Sequence, residues 1–308
     1  MKFKGLLLTS AVAAASLGLA GCSSSSNDGA QETLNGIVVD GYIDQLRICY
    51  DTNLNKVNDD GETCVFSTVD ADGIARYSLP LQRGIPLVGE VITGLTRDLD
   101  NPGQFIDDPN TAADDGNRFT IQAPAESQLL SPLTTLLQKK IEDSPNTPVA
   151  ELEAQILADL GVANSGVSLF DDFVALSNSS DANIAAAATA TRNIARVVTN
   201  ILATNLNTAR TTAGNPTDNP TIRAIFDVIV EEVATSLAQI ATRTQELIDQ
   251  GNPIETVVVV IDDSNEFDST VGSDPDALEK AVTQEIKNNI DNNNPPTDDT
   301  TGVTGAAG

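Results

Sequence analysis

Cys49-Tyr-Asp-Thr-Asn-Leu-Asn-Lys-Val-Asn-Asp-Asp-Gly-Glu-Thr-Cys64 places two cysteines at the ends of a run rich in oxygen-bearing side chains. With Asp51 as the first position of a twelve-residue loop, Asn53, Asn55, Asp59 and Glu62 fall at the third, fifth, ninth and twelfth. Val57 takes the seventh, where a backbone carbonyl serves. That is the spacing by which such a loop wraps a hard cation, because Ca²⁺ accepts six to eight oxygens at variable angles. The sixth position, normally Gly because the chain must turn sharply there, is Lys56. The alternative reading is an Asx-rich hairpin turn that binds nothing, since Asp and Asn favour turns in any case.

The segments on either side have the texture of strands. Ile37 to Val39, Leu46 to Tyr50, Cys64 to Val69, Ile74 to Leu79, Pro86 to Thr96 and Arg118 to Ala123 are short and rich in β-branched or aromatic residues. Turn signals such as Asp70-Ala71-Asp72-Gly73 separate them. Six strands at this spacing predict an antiparallel β-sandwich over residues 34–123. Asp70 and Asp72 could add ligands to the loop, whereas Asp107-Asp108 and Asp114-Asp115 read as a solvated loop.

From residue 124 the apolar period becomes helical. Ser131-Pro132 and Thr147-Pro148 each pair an N-cap residue with Pro at the first helical position. Further helices are expected over 169–176, 181–206, 220–249 (the longest) and 274–290, with a break at 214–219 and a buried strand at 256–261. Their apolar stripes read as the seams of a helical bundle over 124–290, followed by a disordered tail at 291–308. The fold class is therefore α+β and multidomain: an N-terminal antiparallel β-sandwich, then a C-terminal helical bundle.

The N-terminus points to a compartment. Met1-Lys2-Phe3-Lys4 precedes an apolar run to Ala20, the layout of a secretory signal over 1–21. Leu19-Ala20-Gly21-Cys22 resembles the lipobox of bacterial lipoproteins. That resemblance implies cleavage before Cys22, lipid on Cys22, and a flexible tether over 22–33. Ser23, rather than Asp, after the cysteine favours the outer membrane, on either face. With Cys22 lipidated, Cys49 and Cys64 remain to bridge in an oxidising compartment, or to stay as two buried thiols.

Composition removes whole classes of function. Acidic residues number 44 against 17 basic, a formal charge of −27, which repels nucleic acid. The sequence has no His and no Trp. The usual general base and metal ligand is thus missing, along with the aromatic platform of many sugar sites. Neither a phosphate-binding glycine loop nor a dinucleotide fingerprint occurs. An enzyme is not expected.

Taken as a set, Val39-Asp40-Gly41-Tyr42-Ile43, the Asp51 to Glu62 loop, Thr68-x-Asp70-x-Asp72-Gly73 and Tyr77-Ser78-Leu79 resemble a bacterial surface module. It is similar to the calcium-binding B-type repeats of adhesins and to the carboxypeptidase-regulatory-like β-sandwich. Proteobacterial lipoproteins resemble it further, including Ser131-Pro132-Leu133-Thr134-Thr135-Leu136. The resemblance implies that a metal rigidifies a display or spacer domain and performs no reaction. The expected protein is a lipid-anchored envelope component with a structural, adhesive or scaffolding role and a protein partner. The alternative is a carrier or transport accessory that holds an apolar ligand among the helices.

Overall fold

Alternation of buried and exposed side chains sets the first strand: Leu34, Gly36 and Val38 point inwards while Thr33 and Asn35 face solvent. The computed structural model describes residues 32–100, 105–107, 119–212, 219–254 and 257. The expected signal, lipidated Cys22 and tether, the break at 214–218, the strand beyond Val257, the helix at 274–290 and the tail lie outside the described residues, as do Asp108, Asp114 and Asp115.

Ten strands are described: β1 (Thr33–Val38), β2 (Ile43–Asp44), β3 (Arg47–Tyr50), β4 (Cys64–Phe66), β5 (Thr68–Val69), β6 (Ala75–Pro80), β7 (Leu87–Glu90), β8 (Arg97–Asp98), β9 (Thr120–Ala123) and β10 (Leu129–Leu130). They form two four-stranded sheets, β10-β1-β6-β5 and β4-β3-β7-β9, with β2 and β8 paired separately. All pairings described are antiparallel except that of β1 with β10.

Two expected strands are shorter than the sequence suggests. Cys64 to Val69 divides at Ser67, where the chain leaves one sheet for the other. The buried Ser67 hydroxyl accepts the Leu46 N–H at 2.9 Å and donates to the Ile43 carbonyl at 2.7 Å, which anchors the corner. Pro86 to Thr96 ends as a strand at Glu90, because the chain turns at Ile92 to Thr96. There Thr96 Oγ1 accepts the Ile92 N–H and donates to the Gln45 carbonyl. β10 is only two residues long, too short to leave a periodic signal.

Six helices follow among the described residues: α1 (Pro132–Asp143), α2 (Val149–Asp159), α3 (Phe173–Leu176), α4 (Ala182–Thr212), α5 (Asn219–Thr235) and α6 (Leu237–Asp249). The α1 start is a capping box: Ser131 Oγ accepts the Thr134 N–H, and Thr134 Oγ1 accepts the Ser131 N–H. At α2 the expected Thr147 cap is displaced by one residue, for Pro148 itself occupies the N-cap without a side-chain bond. The helix expected over 220–249 is two helices. Ser236, at φ −93° and ψ 5°, interrupts it, following Thr235 in a pair of residues whose hydroxyls compete with helix geometry. The longest described helix is α4 instead, with 31 residues. No described helix is long and apolar enough to cross a membrane.

The molecule is thus α+β, with antiparallel sheets followed by helices. One cluster of buried apolar side chains runs through both parts, from Val38, Ile48 and Ile121 to Leu133, Val198 and Phe226. Strands and helices share that core, and polar contacts run along the seams between them.

Candidate functional site

The loop after β3 is closed by a disulfide. Cys49 and Cys64 stand opposite each other in the β3–β4 ladder with Cα atoms 4.1 Å apart, and their sulfurs are bonded. The register alone places them for bridging, since cross-strand neighbours fall within disulfide reach.

Inside the clamp, the oxygen-bearing residues bond one another. Asp51 is fully buried, and its two carboxylate oxygens accept the Asn55 and Lys56 N–H groups, each at 2.9 Å. Burial pushes its pKa above the ordinary carboxylate value, and the two N–H bonds partly offset this. Asp59 Oδ2 receives the side-chain amides of Asn53 at 2.8 Å and Asn55 at 2.5 Å. Glu62 accepts the N–H and hydroxyl of Thr52 through one oxygen and the Asp59 N–H through the other. The Val57 N–H donates to Asn55 Oδ1 at 3.0 Å. Asn53, Asn55 and Asp59 therefore join side chain to side chain, and Asp51, Glu62 and Val57 complete the circuit through backbone N–H groups.

Lys56 solves the turn in an unexpected way. Its φ of 65° is the left-handed conformation that glycine usually supplies, so the sharp turn exists despite the side chain. The side chain is only 3% exposed and leaves the loop altogether. Its ammonium donates to Glu142 Oε2 of α1 at 2.6 Å and to Asp227 Oδ1 of α5, and lies 5.7 Å from the Phe226 ring centre. Lys139 of α1 runs along the same seam, 2.6 Å from Asp143 and 3.4 Å from Glu231. Burial alone would lower the Lys139 pKa, but Asp143, Glu231 and Asp227 outweigh it and hold the ammonium above its usual value.

Three further ties join strands to helices. Thr134 Oγ1 donates to the Gln122 carbonyl at 2.8 Å, and Thr135 Oγ1 accepts the Gln122 N–H at 2.8 Å. β9 is an edge strand, so these hydroxyls satisfy main-chain groups that a missing neighbour would otherwise bond. The Tyr42 hydroxyl donates to Asp172 Oδ2 at 2.7 Å, while the other Asp172 oxygen caps α3. Arg192 of α4 grips both oxygens of Asp100 at 2.9 and 3.0 Å. The sequence holds only a faint sign of these ties, namely two hydroxyls in the Ser131 to Leu136 segment at positions its apolar stripe would leave buried.

The other acids named from sequence have structural tasks. Asp70 Oδ1 accepts the Asp72 and Ile74 N–H groups, and Oδ2 pairs with Arg76, so this carboxylate holds its own turn. Asp107 is not solvated as expected. It is 8% exposed, accepts the Thr93 hydroxyl, and gives its carbonyl to the Gly94 N–H, which buries it in the turn after β7. Among the described residues no group of three His, Cys, Asp or Glu side chains could hold a metal ion. The loop does carry the donor types and the left-handed turn that a calcium loop needs, with its oxygens engaged by its own N–H groups. No family model matches this chain, and neither a curated protein nor a solved structure is significantly similar to it.

Proposed function

We propose that this chain is a lipid-anchored cell-envelope protein with a structural, adhesive or scaffolding role, not an enzyme. Its two four-stranded sheets pack as a β-sandwich and its helices as a bundle, presented to an envelope or surface partner. The observation that carries this reading is Lys56, whose ammonium fixes the tip of a disulfide-closed loop against two helices. A loop clamped at its base and held at its tip suits load bearing and display. The polar groups so engaged are satisfied structurally rather than aimed into a cleft.

Calcium belongs to the same proposal. Asp51, Asn53, Asn55, Asp59, Glu62 and the Val57 carbonyl would hold the ion, with the two Asn side chains presenting oxygen where they now present N–H. Bound there, the metal would offset the acidic charge of the tip and stiffen it. Lys56 does not oppose this, because its charge is spent on Glu142 and Asp227 outside the loop.

A second reading, a carrier of an apolar ligand, draws on a groove of about 700 Å³ between the first sheet and β4, not among the helices where the sequence predicts the ligand. Ile37, Val65, Phe66 and Phe170 line it beside Arg76. The core positions of α4 and α5, including Val198, Leu202, Phe226 and Val230, pack in one buried cluster, which favours the scaffold.

Membrane fractionation tests the anchor. Cys22→Ser should move the protein from the membrane to the soluble fraction in a Gram-negative host, and unchanged sedimentation would remove the lipid from the account.

A further inference from the structure

We propose that the seam between the β1–β2 turn and α4 is a proton-operated latch, held shut while Asp40 is neutral and loosened when its carboxyl ionises. The latch rests on the geometry of this seam and not on the proposed envelope location.

Asp40 follows β1 in the Val39-Asp40-Gly41-Tyr42 turn, of which the ties described above use only Tyr42. The residue is half-buried, but its Oδ1 atom is sealed from solvent and has no hydrogen-bond partner. A sealed carboxylate oxygen without a donor is costly when charged and far less so when the group carries a proton. The turn packs closely against the residues that α4 holds. Gly41 lies so close to the Asp100 carboxylate that any Cβ would collide with it, and Asp100 is in turn gripped by α4.

The charged groups around Asp40 come from two sides. From β8 and the residues after it come Asp98 and Asp100, both acting to raise its pKa. From α4 come Arg192 and Arg196, and both guanidinium groups bind Asp100, Arg192 at 2.9 Å and Arg196 at 3.3 Å. Asp100 thus engages both arginines, and Arg196 also acts on Asp40, lowering its pKa against the two carboxylates. Thr199 of α4, whose hydroxyl donates to the Ala195 carbonyl at 3.1 Å, also lies beside Asp40 and acts to lower its pKa. Burial is the larger effect, and the carboxyl is pushed up to about 7.

The direction follows from linkage. The closed seam binds a proton that the opened seam has released anywhere above the ordinary carboxylate range. The contribution of Asp40 to closure is therefore greatest in acid, falls as pH rises towards 7, and is gone above it.

Hydrogen exchange on the full chain tests this. After correction for intrinsic rates, exchange of the α4 amides around Thr199 should rise roughly tenfold more between pH 6 and pH 8 than that of α1. Asp40→Asn, which is permanently neutral, should abolish that excess while matching the native protein at pH 6. A wild-type profile that superimposes on that of the variant would overturn the latch. If the variant does not fold, carbon NMR titration of Asp40 in the native protein decides: a midpoint near 7 supports the latch, and one in the ordinary carboxylate range contradicts it.

Discussion

Lys56 Nζ lies 2.6 Å from Glu142 Oε2, although 86 residues separate them in sequence. With Asp227 the pair becomes a triad at the seam between the disulfide hairpin, α1 and α5. A lysine that is 3% exposed is tolerated only because two carboxylates, 29% and 16% exposed, meet it there. The triad makes the hairpin and the helices mutually dependent.

The hydroxyls at the start of α1 should matter through the strand they cap. Thr134→Val removes the shorter donor to the Gln122 carbonyl and the acceptor of the Ser131 N–H, Thr135→Val leaves the Gln122 N–H unpaired at the β9 edge, and each should cost about 1–3 kcal/mol. Thr134→Ser, which keeps the oxygen, should cost much less. Urea unfolding at constant m-value measures the difference.

Gly36 and Tyr77 are opposed across β1 and β6. A Cβ on Gly36 would collide with the Tyr77 ring, whose hydroxyl donates to the Ser127 carbonyl at 3.0 Å. Gly36→Ala should therefore cost about 1–3 kcal/mol by overpacking. Tyr77→Phe, which loses only the hydroxyl bond, should cost about 1 kcal/mol. Denaturant midpoints of the two variants should rank in that order.

Calcium at millimolar concentration should raise the melting temperature of the metal-stripped, oxidised protein. A formal charge of −27 means that any divalent cation screens self-repulsion, so Mg²⁺ at equal concentration is the control. Asp59→Asn, at the centre of the loop circuit, should remove the excess of Ca²⁺ over Mg²⁺. Equal shifts with the two ions would end the metal proposal.

The features legible in the sequence are the local ones. The cysteine pair, the Ser131-Pro132 cap and the membership of the acidic loop follow from residues within one turn or one hairpin of each other. The strand break at Ser67 was hidden because its cause is a hydroxyl bonded to residues 21 and 24 positions earlier. At Ser236 the apolar stripe runs straight through, from Val233 to Leu237 and Ile240, so periodicity sees one helix where the backbone makes two. The destination of Lys56 was equally invisible, because in the sequence it stands only as a misplaced charge in a calcium loop. Its partners come from helices 86 and 171 residues away.

A double-mutant cycle on Lys56 and Asp227 tests the central claim that this side chain locks the loop to the helices. Lys56→Met should destabilise the protein by about 3 kcal/mol, the lower end for a broken buried pair because the Glu142 carboxylate keeps some solvent. Combined with Asp227→Asn, the loss should be smaller than the sum of the two single losses by at least ~1 kcal/mol. Losses that add to within ~0.5 kcal/mol would contradict the lock.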